Sequence, residues 1–459
     1  MEARSAPRAA DPGRPLTLSE HVSRTLRLAG PVMAARAGMI VMITVDTAMT
    51  GQASAAQMAH YGIALAPFVF MLVIGIGFLT GTVVLTAQAD GAGRRADCGR
   101  IWRAALSLAA LAGCLGGAIL LLGEDLLLAG GQAPSIAAGG GQALVMAGFG
   151  LPGILLYIAS GFFLEGLGRP KPGMVVALSA NLLNAALNWV LIEGQLGAPA
   201  MGAAGAMLAT TITRWVMFAV IAIYILRLPD RAQLGIRGPL RGLAPVWAKL
   251  LRLGLPPALA IGCESGSFTA VVFFAGLLGE TALAAYQAVH NVTTFVFMLA
   301  IGLGTATAIR VANAVGRKDR SGMATAGWVG LALVVTMMLA TGLLIGLFET
   351  RVALIFNREP EVVAIMVLGL SVVAFLVVLD GSQAVLISAL RGAGDVIVPT
   401  AIYLLSFPVV AVPSSYVLGL TLAGGVPGLL WGLVLGLICA ALLLAWRFAV
   451  VSRRAVRPI

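Results

Sequence analysis

Residues 68–77 read FVFMLVIGIG and residues 295–304 read FVFMLAIGLG, an offset of 227. LRLAGP at 26–31 returns as LRLGLP at 251–256, and LEGLG at 164–168 returns as LRGAG at 390–394, offsets of 225 and 226. One such match is within reach of chance in apolar sequence. Three in order, at nearly one spacing, indicate an internal duplication. Whatever the elements are, each half carries the same string of them.

Composition says what they are. Of 459 residues, 59% are hydrophobic and 11% charged, and the mean hydropathy is +0.98. A soluble domain has roughly 45–50% apolar and about 25% charged residues, so this chain lacks the polar surface to face water on all sides. The apolar content also excludes disorder, and the 57 glycines follow no Gly-X-Y period, which excludes collagen. Long unbroken apolar stretches favour helices over the alternating strands of an outer-membrane barrel. Twelve are long enough to cross a bilayer: approximately 30–50, 62–87, 104–122, 141–164, 172–192, 203–226, 253–278, 282–309, 325–348, 362–389, 398–420 and 426–446.

Six spans per half is an even number, so both halves insert with the same orientation. That is a parallel repeat about a pseudo-two-fold axis along the membrane normal. The expected fold is an all-α polytopic membrane protein, with twelve transmembrane helices in two pseudo-symmetric six-helix lobes around a central cavity. Its parts are a polar cytoplasmic tail (1–25), an N-lobe (26–226), a cytoplasmic inter-lobe loop (227–248), a C-lobe (249–447) and a second cytoplasmic tail (448–459). The loop carries Arg227, Arg231, Arg237 and Arg241.

The basic residues check the count independently. With the N-terminus inside, the cytoplasmic segments hold 26 of the 30 Lys and Arg, and the outer loops hold two, Arg351 and Arg358. The last two, Arg36 and Arg214, fall inside spans. This is the asymmetry that the positive-inside rule requires, so the net charge of +11 reports topology and not a nucleic-acid partner. The cell inner (plasma) membrane, crossed several times and with both termini cytoplasmic, is the expected location. The first twenty residues contain no apolar signal-peptide core, so targeting is expected to fall to the first membrane helix. The four cysteines have no paired spacing. Three of them, Cys114, Cys263 and Cys439, lie in apolar stretches and read as small buried side chains.

Sixteen of the nineteen acidic residues lie in loops, tails or at span ends. Asp46, Glu264 and Asp380 lie well inside spans one, seven and ten. A charge at the bilayer centre costs roughly 2.5–3.5 kcal/mol, so such a group faces a cavity, binds a cation or takes up a proton. The plainer alternative is a static ion pair, but Arg36 and Arg214 are too few for three acids. At an offset of 226 the counterparts are Val272, Gly38 and Ile154. The scaffold repeats and the charges do not, which suits function better than folding.

Neutral polar residues accompany the acids. Asn181, Asn184 and Asn188 share one helical face of span five, and Gln287, His290, Asn291 and Thr294 share one of span eight. Gln383 follows Asp380 by three residues. These residues either line a cavity or serve as interhelical glue worth about 0.6 kcal/mol each. For His290 alone, packing is the stronger reading. Pro31 and Pro256 read as helix-start prolines, with a hinge as the alternative. There is no GxxxxGK[ST] for ATP, no HExxH and no Cys/His cluster, so no cofactor is expected and an ion gradient is the expected energy source.

Several motifs carry a family resemblance: VDTAMTG (45–51), LGLPPALAIGCESGSF (253–268), ALAAYQAVHN (282–291), RVANAVGRKD (310–319) and DGSQAVLISALRGAGD (380–395). With them the chain resembles the multidrug and toxic compound extrusion (MATE) family, in its NorM-type branch, over nearly its whole length. The resemblance implies an antiporter that expels organic cations in exchange for H⁺ or Na⁺. It also implies a C-lobe cation site at Glu264 and Asp380, where Na⁺ would be the bound metal, and an N-lobe polar group of Asp46, Asn184 and Asn188. Two departures stand out. Tyr286 occupies a position where the family often has His, and Leu376, one turn before Asp380, replaces a Tyr that can serve Na⁺. Loss of an oxygen ligand favours H⁺.

The expected cycle has ion and drug competing for shared carboxylates while the lobes rock. Phe268, Tyr286 and Met39 are candidate cavity surface. The expected partners are organic cations and membrane lipid, with a monomer as the working unit. Three alternatives remain: a lipid-linked saccharide flippase, another secondary transporter, and a membrane-embedded enzyme or scaffold.

Overall fold

The computed structural model describes residues 17–239 and 242–454. Its described residues contain helices and no strands, as a bilayer requires of a chain that does not close into a barrel. Twelve helices are long and apolar enough to cross a membrane, and each coincides with one expected span. We number them α1 (Leu18–Ala53), α2 (Ala55–Gly91), α3 (Arg95–Leu120), α4 (Pro134–Gly166), α5 (Lys171–Glu193) and α6 (Gly202–Leu226) in the first half. The second half has α7 (Ala244–Leu277), α8 (Glu280–Gly316), α9 (Arg320–Leu347), α10 (Pro360–Gly392), α11 (Ile397–Thr421) and α12 (Gly425–Arg453). A short connecting helix lies in the same place in each half, Gly123–Ala129 and Glu349–Phe356.

Several helices run well past their apolar stretches, because a helical backbone satisfies its own hydrogen bonds whether or not lipid surrounds it. Thr17 and Glu20 form a capping box at the start of α1. Residues 18–25, read as tail, are therefore helical, as are 244–248 of the inter-lobe loop and 448–453 of the second tail. Residues 1–16 and 455–459 of the two tails, and Arg241 of the loop, lie outside the described residues. Pro31 and Pro256 consequently stand inside α1 and α7, which corrects the helix-start reading. Span eleven also differs from a plain helix: residues 405–411 and 417–421 are π-helical around Pro408 and Pro413. Wide turns of this kind take up the hydrogen bonds that proline removes.

The four cysteines are all free, and only Cys98 is buried. Cys114 is exposed and Cys263 and Cys439 are half-buried, because the outer face of a membrane helix is apolar too.

Two separate apolar cores form, one mainly from α1–α6 and one mainly from α7–α12. They are the two lobes. The duplicated motifs join them. A side chain at Gly77 on α2 would stand 2.7 Å from Ala258 Cα on α7, and one at Gly302 on α8 would stand 3.1 Å from Met33 Cα on α1. Met33 and Ala258 are related by an offset of 225, and Gly77 and Gly302 are the two glycines of the repeated motif one register apart, so equivalent helices make both crossings through a small residue. Among the described residues, every hydrogen bond between the lobes lies at the basic-loop end of the helices, including Gln88 Nε2 to Gly392 O (3.2 Å) and Arg310 Nη1 to His21 O (2.8 Å). At the opposite end no hydrogen bond joins the lobes among the described residues.

Candidate functional site

The N-lobe carboxylate is enclosed by four helices. Asp46 of α1 is 1% exposed. It accepts hydrogen bonds from Asn188 Nδ2 of α5 (2.6 Å), Thr210 Oγ1 of α6 (2.6 Å) and Tyr61 Oη of α2 (3.2 Å). Asn184 Nδ2 donates to Thr210 Oγ1 (3.0 Å), and Asn188 Nδ2 also reaches Asn184 Oδ1 (3.3 Å). Two of the three asparagines are thus buried around Asp46. Asn181 is not: its Nδ2 donates to Ala177 O of its own helix (2.9 Å). Arg214 stands one turn beyond Thr210 with its guanidinium 4.2 Å from the centre of the Phe68 ring, within electrostatic reach of Asp46. A mid-span arginine therefore has a cation–π platform and a distant counter-charge, in place of a direct ion pair.

The C-lobe differs. Glu264 of α7 is half-buried and Asp380 of α10 is buried. The single amide Gln383 Nε2 donates to both, to Glu264 Oε1 (3.1 Å) and to Asp380 Oδ1 (3.1 Å). Tyr403 Oη of α11 in turn donates to Gln383 Oε1, which fixes the amide's orientation. Arg391 lies within electrostatic reach of Glu264 and Tyr403. Two carboxylates held apart by one neutral donor form a site short of positive charge, whereas Asp46 has three donors of its own. The position one turn before Asp380 is Leu376, buried and apolar. Among the described residues, no group of three or more His, Cys, Asp or Glu gathers as a metal cluster.

Aromatic rings pack beside the carboxylate pair. Phe268 is 5.5 Å from His290 and 6.3 Å from Phe407, and Tyr403 is 5.2 Å from Phe407. His290 is stacked on Tyr286 at 6.0 Å, a packing role. Tyr286 is itself 1% exposed, so it meets its neighbours in the lobe and offers almost no free surface. Gln287 and Asn291 are exposed one turn apart on α8. Met39 packs against the N-lobe core.

Five residues escaped the sequence reading: Tyr61, Thr210, Tyr403, Arg391 and Glu165. Arg214, one turn from Thr210 on the same face, was the available sign for α6. Glu165 was counted among span-end acids, yet it is buried at the end of α4 with one carboxylate oxygen unpartnered. It shares a small cavity with Arg36, whose Nε is also unpartnered and whose guanidinium lies 5.4 Å from the Phe162 ring.

Outside the spanning segments, Asp230 receives a bidentate pair from Arg169, at 3.0 and 2.6 Å. The Arg169 hydrogen bond holds the Asp230 carboxyl below its ordinary range.

Comparisons with known proteins bear on the fold and the family. The MatE family model matches residues 31–190 and 256–417, one match per lobe. The chain is 33% identical over 430 residues to the probable multidrug resistance protein NorM of Caulobacter vibrioides, covering 94% of this chain and 91% of that one. It is 32% identical over 437 residues to the multidrug resistance protein NorM of Vibrio cholerae, covering 93% and 95%. Among solved structures, the outward-facing conformation of a multidrug resistance MATE family transporter of the MOP superfamily superposes with a TM-score of 0.86 at 20% identity, covering 95% of this chain and 97% of that one.

Proposed function

Because this chain belongs to the MatE family, and is thus a multi-pass membrane transporter and not an enzyme, we propose that it is a proton-coupled antiporter exporting organic cations. The names of its relatives support multidrug substrates. The observation that carries the coupling is the Glu264–Asp380 pair, which shares one neutral donor in Gln383.

In this reading a cationic drug enters the cleft and is held by the unneutralised charge of the pair. A proton arriving from outside binds one carboxylate, removes that charge and releases the drug. The lobes then rock, the site faces the cytoplasm, and proton loss restores the charge for the next drug. Exchange is obligatory because one occupant abolishes what holds the other. Protons fit this site better than Na⁺. Gln383 Oε1 is already engaged by Tyr403 and Leu376 offers no oxygen, whereas Na⁺ needs several oxygen ligands. Asp46, with three donors, serves as a second, more tightly held anion whose protonation would free α5 and α6 from α1.

The bias of basic residues towards one set of loops supports a cell inner (plasma) membrane location with both termini cytoplasmic. Both lobes belong to one chain, so the monomer is the working unit. The test is ethidium efflux from proteoliposomes under an imposed pH gradient or Na⁺ gradient, with wild type and Asp380→Asn. The expected result is efflux driven by the pH gradient and lost in the variant. Efflux driven only by Na⁺ overturns the proton assignment, and no gradient-dependent flux of any organic cation overturns the antiport reading.

A further inference from the structure

At the end where the lobes touch there is a cavity of about 240 Å³, set apart from both carboxylate sites. It is lined by His21, Arg24 and Arg27 of α1, Asp90 of α2, and Arg310 and Arg317 of α8. The lining therefore comes from both lobes across their seam. Arg310 Nη1 donates to His21 O (2.8 Å) and to Thr25 Oγ1 (2.5 Å), and its Nη2 meets His21 Nδ1. None of these partners carries a formal negative charge. Arg24 and Arg27 are exposed and make no ion pair among the described residues. Asp90 is the one acid in the lining, and it already faces Arg95 at 3.3 Å. Of the acids nearby, Asp319 faces Arg317 (3.6 Å) and caps α9, and Glu20 caps α1.

Four guanidinium groups thus converge on one cavity, two from each lobe, with a single acid among them. Like charges facing across a seam oppose its closure, yet this is the end that is closed. We propose that the cavity binds a phosphate-bearing anion, which clasps the lobes together at this end. Arginine presents planar paired donors that match phosphate oxygens, and basic pockets between membrane helices on the cytoplasmic side suit anionic headgroups. The bound anion turns repulsion between α1 and α8 into shared attraction, so it favours the state with the basic end shut. The phosphate can come from an anionic lipid or from a soluble ion, and both offer the same chemistry. The inference is independent of which ion drives transport.

The test uses the full chain in a neutral detergent, with the unfolding midpoint followed at constant ionic strength. Sodium phosphate is titrated against sodium chloride, and short-chain phosphatidylglycerol against short-chain phosphatidylcholine. The variants are Arg24→Gln with Arg27→Gln, Arg317→Gln on the other lobe, and a control, Arg227→Gln with Arg231→Gln, in a basic segment outside the cavity. The expected result is a saturable rise in midpoint. Half-saturation should be raised on the order of thirtyfold by the double change at Arg24 and Arg27 and left unchanged in the control. Saturation by inorganic phosphate assigns a soluble source, and saturation by phosphatidylglycerol alone assigns the lipid. No saturable rise with either anion overturns the proposal. So does equal half-saturation in wild type and in the cavity variants, or an equal loss in the control.

Discussion

Gln383 shows how a neutral side chain can organise a charged site. Its amide donates to both Glu264 and Asp380, while its carbonyl accepts from Tyr403, so three helices depend on one residue. Gln383→Leu keeps the volume and removes all of these bonds, leaving buried polar groups unmatched at about 1–3 kcal/mol each. Ethidium export should fall at least about tenfold, because each 1.4 kcal/mol is a factor of ten. A monodisperse elution profile like that of wild type would show that the fold survives, and unchanged export would remove Gln383 from the site. The sequence placed Gln383 near Asp380 by helical spacing. The link to Glu264, more than a hundred residues away, needed the packed lobe.

At the scale of elements, the repeated FVFML segment is the seam. Gly77 and Gly302 let α2 and α8 meet the opposite lobe at backbone distance, and Gly77→Leu has no room beside Ala258. Overpacking costs roughly 1–3 kcal/mol, here only in the state where the basic end is closed. The variant should therefore shift towards the opposite opening, seen as greater labelling of a cysteine introduced at Gly81 from the basic side. Labelling equal to that of the same cysteine in a Gly77 background would contradict this.

The inter-lobe segment after α6 docks on the N-lobe, through Arg169 to Asp230 and through Arg103 to Gly235 O and Ile236 O. Since the Asp230 carboxyl is held low, its stabilisation is complete above the unfolded pKa of about 3.9 and is lost as pH falls below it. The contribution is about 1 kcal/mol or less, because Arg169 is partly exposed. The unfolding midpoint of Asp230→Asn should accordingly lie below that of wild type at neutral pH, with the gap closing below about pH 4. A constant gap would show that the charge plays no part.

For the whole molecule, the hydrogen bonds that join the lobes gather at one end. Spin labels at Thr44 on α1 and Thr269 on α7, both exposed, should report two distance populations whose ratio changes when ethidium is added. A single distance that ignores substrate would contradict rocking lobes. Much of this architecture was legible in the chain itself. Hydropathy, the bias of basic residues and the 225–227 offset fixed twelve spans and two parallel lobes, because lipid forces each span to satisfy its own backbone and each repeat carries its own local pattern. The mid-span acids Asp46, Glu264 and Asp380 were equally visible, since charge inside a bilayer is costly enough to stand out in composition. What only the tertiary structure decided is which side chains share a charge. Tyr61, Tyr403 and Arg391 carry no local mark of their roles, Thr210 only the nearby Arg214, and Glu165 resembles any acid at a span end. Their significance arises where separate helices meet, and helix contacts in a membrane depend on small residues and close packing that hydropathy does not record.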